Sequence, residues 1–139
     1  MNVVLDASMA LAWIFERTSL DERQLADRLL EPSLAWQFQV PPVWHLEVAN
    51  GLLVGLRRAL LVEAQATTFL QHLYCLPIAT DKTEPVIQGR EAFLRGRSTG
   101  LTAYDADYLN LALRQGAALA TFDRQLAAVA RQAGVQLVE

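Results

Sequence analysis

Val3-Val4-Leu5-Asp6-Ala7-Ser8 opens the chain with three apolar residues that stop at an acid. A run this short, with two β-branched members and no polar alternation, predicts a buried strand. Outward from it, residues 9–15 hold few polar positions and predict a helix, and residues 20–30 predict a more amphipathic one, followed closely by Pro32. Trp36-Gln37-Phe38-Gln39-Val40 alternates with period two and reads as a strand. Pro41-Pro42 stops it, and a proline in a first turn suits a helix start, here running from Val43 to about Arg58. Further helices are expected over 62–74, 84–95, 102–114 and 124–133, and strands over 76–79, 118–122 and 135–138. Strands alternating with helices argue for an α/β domain around a mainly parallel sheet.

The 139 residues suit one domain spanning 1–139, and the 53% hydrophobic content is enough for a core. Net charge is −3, the wrong sign for a protein that coats nucleic acid through bulk charge. Any RNA binding must use a local basic patch, bridging metal ions or a partner's charges. Cys75 is the only cysteine, so no intrachain disulfide forms. The N-terminus lacks a basic region, an acid interrupts its apolar run, and no stretch is long enough to span a bilayer. A soluble cytoplasmic protein is the expectation.

In an open parallel sheet, ligands bind beyond the carboxyl ends of the strands. Asp6 and Asp123 both stand where an apolar strand hands over to a helix. Helix capping by Asp6, Ser8 or Asp123 would account for them equally well. Glu47 lies within a helix that is apolar over most of its circumference and must reach solvent, a partner or a metal. Asn50, three residues on, shares its face, and a solvent-facing stripe through Gly51 and Arg58 is the alternative. Asp105 follows Thr102 at the spacing of a capping box, and a first-turn acid also suits the helix dipole. Asp107 points away from Asp105 and reads as a dipole-compensating surface acid.

Taken jointly, convergent carboxylates would raise one another's pKa values and cost stability unless a cation compensates. The single lysine, Lys82, has no obvious place at these strand ends, and His45, His72 and Cys75 do not make a zinc-like cluster. Oxygen-only ligation suits Mg²⁺ or Mn²⁺, and such a site serves phosphate chemistry. No phosphate-binding glycine loop, nucleophile elbow or dinucleotide fingerprint is present, which removes P-loop ATPases, serine hydrolases and dinucleotide enzymes.

Four segments in order resemble the motifs of PIN-domain ribonucleases, at the spacing of VapC-type toxins. They are Val4-Leu5-Asp6-Ala7-Ser8, the stretch Pro41 to Leu52 with Glu47 three residues before Asn50, the stretch Leu101 to Ala112 around Asp105, and Ala120-Thr121-Phe122-Asp123. The resemblance implies a three-layer α/β/α sandwich. It implies an acidic quartet of Asp6, Glu47, Asp105 and Asp123 that binds Mg²⁺ or Mn²⁺, with Asp6 and Asp105 as central ligands. Ser8 and Thr121 would support it through their hydroxyls, and Asn50 from behind. The implied reaction is endonucleolytic cleavage of RNA by metal-activated water. A homodimer and inhibition by a small antitoxin are also implied.

Two other readings compete. A catalytically silent PIN-like interaction module would not depend on its acids. A Mg²⁺-dependent phosphatase or phospho-acceptor domain would want a second aspartate where Ser8 stands, or paired acids near the first strand.

Overall fold

A computed structural model describes all residues, 1–139. Four parallel strands form one sheet in the order β3-β2-β1-β4. They are β1 (Asn2–Leu5), β2 (Gln37–Val40), β3 (Ile78–Thr80) and β4 (Ala118–Ala120). Seven helices connect and cover them: α1 (Ala7–Leu11), α2 (Leu20–Leu29), α3 (Val43–Arg57), α4 (Glu63–Tyr74), α5 (Pro85–Thr99), α6 (Ala103–Gln115) and α7 (Arg124–Gln132). A single 3₁₀ turn at Pro32–Leu34 separates α2 from β2.

Successive strand residues face opposite sides of a sheet, yet Val3, Val4 and Leu5 are all 0% exposed. Both faces of β1 are therefore covered, and the architecture is a three-layer α/β/α sandwich. Along one face α6 lies against β1, β2 and β4, with α5 and α7 beside it. The chain winds from β1 outward to β2 and β3, then returns to place β4 on the other side of β1. The strand order therefore reverses between β1 and β4, and the crevice outside their carboxyl ends is where such sheets bind ligands.

Some expected boundaries move. The first helix starts earlier, at Ala7, and is regular only to Leu11; residues 12–14 continue as turns. The strand expected over 135–138 contracts to one parallel bridge, Leu119 to Leu137. Instead of ending near Gly96, α5 runs on to Thr99, where Gly100 supplies the left-handed cap at φ 80°. The apolar helix α3 is less buried than its composition suggests: Leu46, Asn50, Leu53 and Arg57 form an exposed stripe. Its other side accepts the α1 segment closely. A methyl group on Gly55 would collide with the Phe15 ring and the Leu61 side chain.

No helix is long and apolar enough to cross a membrane.

Candidate active site

Asp6 follows β1 directly and is 5% exposed. Its N–H donates to the Ala120 carbonyl at 2.9 Å, which clamps the ends of β1 and β4 together. Although Asp6 holds the N-cap position of α1, its side chain makes no capping bond. Its Oδ2 instead accepts from Thr121 Oγ1 at 2.6 Å and from Ser8 Oγ at 2.7 Å. Each hydroxyl also accepts an amide: Ser8 Oγ from Phe122 across the crevice at 3.1 Å, and Thr121 Oγ1 from Asp123 within its own turn at 3.0 Å. Ser8 and Thr121 thus hold Asp6 in one orientation and bind the segment after β4 to the segment after β1.

Asp123 does cap a helix. Its Oδ1 accepts from the Leu126 amide at 2.8 Å at the start of α7. The other oxygen has no bond within the chain, and the residue is exposed. Capping and a place in the crevice are therefore compatible, because the two carboxylate oxygens divide between them.

Glu47 lies in the second turn of α3 and is half-buried. The Tyr108 hydroxyl donates to its Oε1 at 2.8 Å. Asp105 sits in the first turn of α6, whose N-cap Thr102 accepts the Asp105 amide through Oγ1 at 3.2 Å. Asp105 and Tyr108 are three residues apart, so one face of α6 presents both to the crevice.

The electrostatics tie the four acids together. Burial pushes the Asp6 carboxyl above the usual carboxylate range; the Thr121 and Ser8 hydroxyls and the Ala7 amide pull it back, and the Asp123 charge adds to the rise. Burial also raises Glu47, eased by Tyr108 and increased by the charges of Asp6 and Asp105. Asp105 is pushed up to about 6 by burial, by Asp123 and by Asp6, with partial relief from Thr102. Burial raises Tyr108 well above its ordinary value, so it stays a hydroxyl donor. No lysine, arginine or histidine pairs with any of the four; the ion pairs are Arg17–Glu22, Arg114–Asp81 and Arg131–Glu139.

The acids are not drawn into a closed cage: no three His, Cys, Asp or Glu side chains are assembled as a metal site. Bare carboxylates that raise one another's pKa are expected to stand apart. Their chemistry still fits a hard cation, since the available donors are all oxygen and none is neutralised within the chain.

Asn50 is exposed and makes no hydrogen bond to the acids. Lys82 does lie just past a strand, but past β3, with β2 between that strand and β1. Asp107 is not a surface acid. It is 6% exposed and accepts from Gln88 Nε2 at 2.6 Å, because α5 packs over that side of α6. One turn on, Asn110 accepts from Arg95 Nε at 2.8 Å on the same seam. Tyr108 is the residue that sequence reasoning missed at the site. Its signal was a hydroxyl three residues after Asp105, on the same helix face.

A sequence model of the PIN domain matches residues 3–132. The chain belongs to the PIN-domain family. Ribonuclease VapC3 of Pyrobaculum aerophilum is 35% identical to it over 130 residues, covering 91% of this chain and 93% of the relative. Within the PIN domains this chain is thus of the VapC ribonuclease type. The crystal structure of PAE2754 from the same organism has a TM-score of 0.65 at 25% identity, over 92% of this chain and 78% of that one. FitAcB from Neisseria gonorrhoeae shares the fold, with a TM-score of 0.57 at 13% identity over 99% and 96% of the two chains.

Proposed function

We propose that this PIN-domain protein is a Mg²⁺- or Mn²⁺-dependent endoribonuclease and the toxin member of a toxin–antitoxin pair, with Asp6, Glu47, Asp105 and Asp123 as its catalytic acids. One observation carries the site: Asp6, Glu47 and Asp105, from three segments, are raised by burial and by the charges of neighbouring acids, Asp123 among them, and no ion pair of the chain involves any of the four.

Asp6, Glu47, Asp105 and Asp123 would hold the ion. A divalent cation held there would lower the pKa of a water, so that hydroxide is available near neutral pH, and would offset charge on the phosphate. The chain's own residues set the geometry. Ser8 and Thr121 fix the Asp6 carboxylate, and Tyr108 fixes Glu47. Asp105 accepts no hydrogen bond from another element, so it is free to adjust to an ion or to carry a proton near pH 6. Asp123 keeps one oxygen on the α7 amide and leaves the other without a partner in the chain. Asn50 has no role in this arrangement.

The test is cleavage of structured RNA by the purified protein in Mg²⁺ or Mn²⁺, its loss on chelation, and its loss in a folded Asp6→Asn variant. Cleavage that survives both would overturn the metal mechanism. A silent interaction module would cleave nothing under any condition.

Partners follow from the same reading. A cognate antitoxin would find a groove of about 410 Å³ between the turns after α1 and helix α4, where Trp13, Ile14, Ala64 and Phe69 stand among the polar Gln65, Thr68 and His72. A homodimer would use the exposed apolar side chains of α3 and α5, among them Leu46, Leu53, Val86 and Phe93. Co-expression with the antitoxin should relieve growth arrest, and sedimentation should give a dimer mass.

A further inference from the structure

An acidic crevice repels the substrate it is meant to cut. RNA carries a charge at every phosphate, and a protein holds it chiefly through arginine and lysine. A metal ion offsets the charge at the cleaved phosphate alone. The flanking phosphates need cations from the protein, and the net charge of −3 makes their placement matter.

Arg17 is held against the site. Its guanidinium carbon lies 4.1 Å from the centroid of the Phe122 ring. Phe122 immediately precedes Asp123, and its amide donates to Ser8 Oγ, which in turn donates to Asp6. Arg17 is thus one stacked ring and two hydrogen bonds away from Asp6. Arg124 is next to Asp123 in sequence, but it is exposed and makes no side-chain hydrogen bond.

The guanidinium is oriented as well as placed. Its Nε donates to Glu22 Oε2 at 2.6 Å, and its central carbon sits over the Phe122 ring. The Nη groups make no hydrogen bond within the chain, so the fork that fits a phosphate bidentately is free. A cleft of about 220 Å³ runs between Ser8 and Arg17, walled by Leu11, Ala12, Phe15 and Glu16. Its Ser8 end is hydrogen-bonded to Asp6.

We infer that Arg17 is a substrate-positioning residue that binds the RNA phosphate adjacent to the one cleaved, with its fork held ready by Phe122 and Glu22. The assignment rests on the ribonuclease reading above. Because the side chain is already stacked and paired, little rotamer entropy remains to be lost when a phosphate arrives. Glu22 orients the guanidinium but also competes with the phosphate for its charge. The two partners of one ion pair therefore act in opposite directions on RNA.

That opposition supplies the test. The probe is a mixed-sequence pool of single-stranded RNA, with cleavage followed in Mn²⁺ over a range of monovalent salt. For Arg17→Ala we expect KM to rise about tenfold with kcat changed less than threefold. The slope of log kcat/KM against log salt should become shallower by about 0.7, the value for one lost contact to a single strand. Arg17→Lys should retain the slope and recover part of KM. Glu22→Gln should lower KM two- to threefold while lowering the melting temperature slightly. An Arg17 that merely braces the α1–α2 turn predicts that Arg17→Ala and Glu22→Gln lose activity alike, with the salt slope unchanged, and that result would overturn the assignment. A wild type that cleaves no RNA overturns the ribonuclease reading and this assignment together. Cleavage by the wild type with an unaltered Arg17→Ala overturns this assignment alone.

Discussion

The Tyr108 hydroxyl reaches Glu47 Oε1 across 2.8 Å, so one hydrogen bond joins α6 to α3 at the mouth of the crevice. Tyr108→Phe keeps the ring and deletes the donor. That donor is what lowers the Glu47 pKa against the upward push of burial, so its loss raises Glu47 further. Stability should fall by about 1 kcal/mol. Cleavage should fall more at pH 6 than at pH 8, since fewer Glu47 side chains are ionised at the lower pH. Equal loss at both would show that the bond does not tune the carboxylate.

Asp105 offers a test without substrate. Its folded pKa of about 6 lies above the ordinary 3.8, so the folded chain holds this proton more tightly than the unfolded one. The stabilisation from that proton is complete below pH 3.8 and is lost as pH rises through about 6. At neutral pH the ionised side chain therefore weighs against the fold. Asp105→Asn should raise the stability of the metal-free protein at pH 7.5 by about 1 kcal/mol, after allowance for its half-exposed position, and should change little at pH 4. The cap survives, because Thr102 accepts from the Asp105 backbone amide. Mn²⁺ should raise the melting temperature of the wild type more than that of the variant. If the residue only compensates the helix dipole, the variant is less stable by about 0.5–1 kcal/mol and metal treats both proteins alike.

Protons and metal should compete for the same carboxylates. With Asp105 at about 6, its protonation should weaken the apparent Mn²⁺ affinity by about tenfold per unit below pH 6, and the raised carboxyls of Asp6 and Glu47 should steepen that loss. Isothermal calorimetry across pH 5–8 reads this directly. A pH-independent affinity would mean that the ion is held elsewhere.

Asp123 separates stability from activity. Asp123→Ala removes the α7 cap and should cost about 1 kcal/mol. Asp123→Asn keeps an oxygen for the Leu126 amide and should fold as the wild type does. Both remove the charge from the crevice, so both should lose metal-dependent cleavage. An active Asp123→Asn would reduce this residue to a cap.

Gly55 tests how α3 receives the α1 segment. Gly55→Ala pushes a methyl group into Phe15 and Leu61 and should destabilise by about 1–3 kcal/mol. Gly89, on α5, faces open space, and Gly89→Ala should stabilise by about 0.5–1 kcal/mol. Chemical denaturation of the two variants gives the contrast.

The order of strands and helices was legible because β1 and β4 are short apolar runs, β2 alternates with period two, and Pro41-Pro42, Thr102 and Gly116 mark helix ends. The final strand was not, since Val135-Gln136-Leu137-Val138 has strand-forming residues but makes only the Leu119–Leu137 bridge. At the site, Asp6 and Asp123 were marked by their place at strand ends, and Glu47 by its polarity in an apolar helix. Asp107 misled because helix geometry gives direction but not burial; α5, from elsewhere in the chain, covers it. Tyr108 and Arg17 escaped for the same reason. Their partners, Glu47 and Phe122, are distant in sequence, and only the folded chain brings them together.

The Asp6–Thr121 hydrogen bond spans 115 positions of the chain. While such a protein is being translated, Asp6 emerges from the ribosome early and waits for β4, Thr121 and Asp123 to follow. A nascent or truncated chain that ends before them has neither the clamp on Asp6 nor its fourth acid. On the proposed assignment of the four acids, the order of synthesis therefore delays the site until the polypeptide is almost complete.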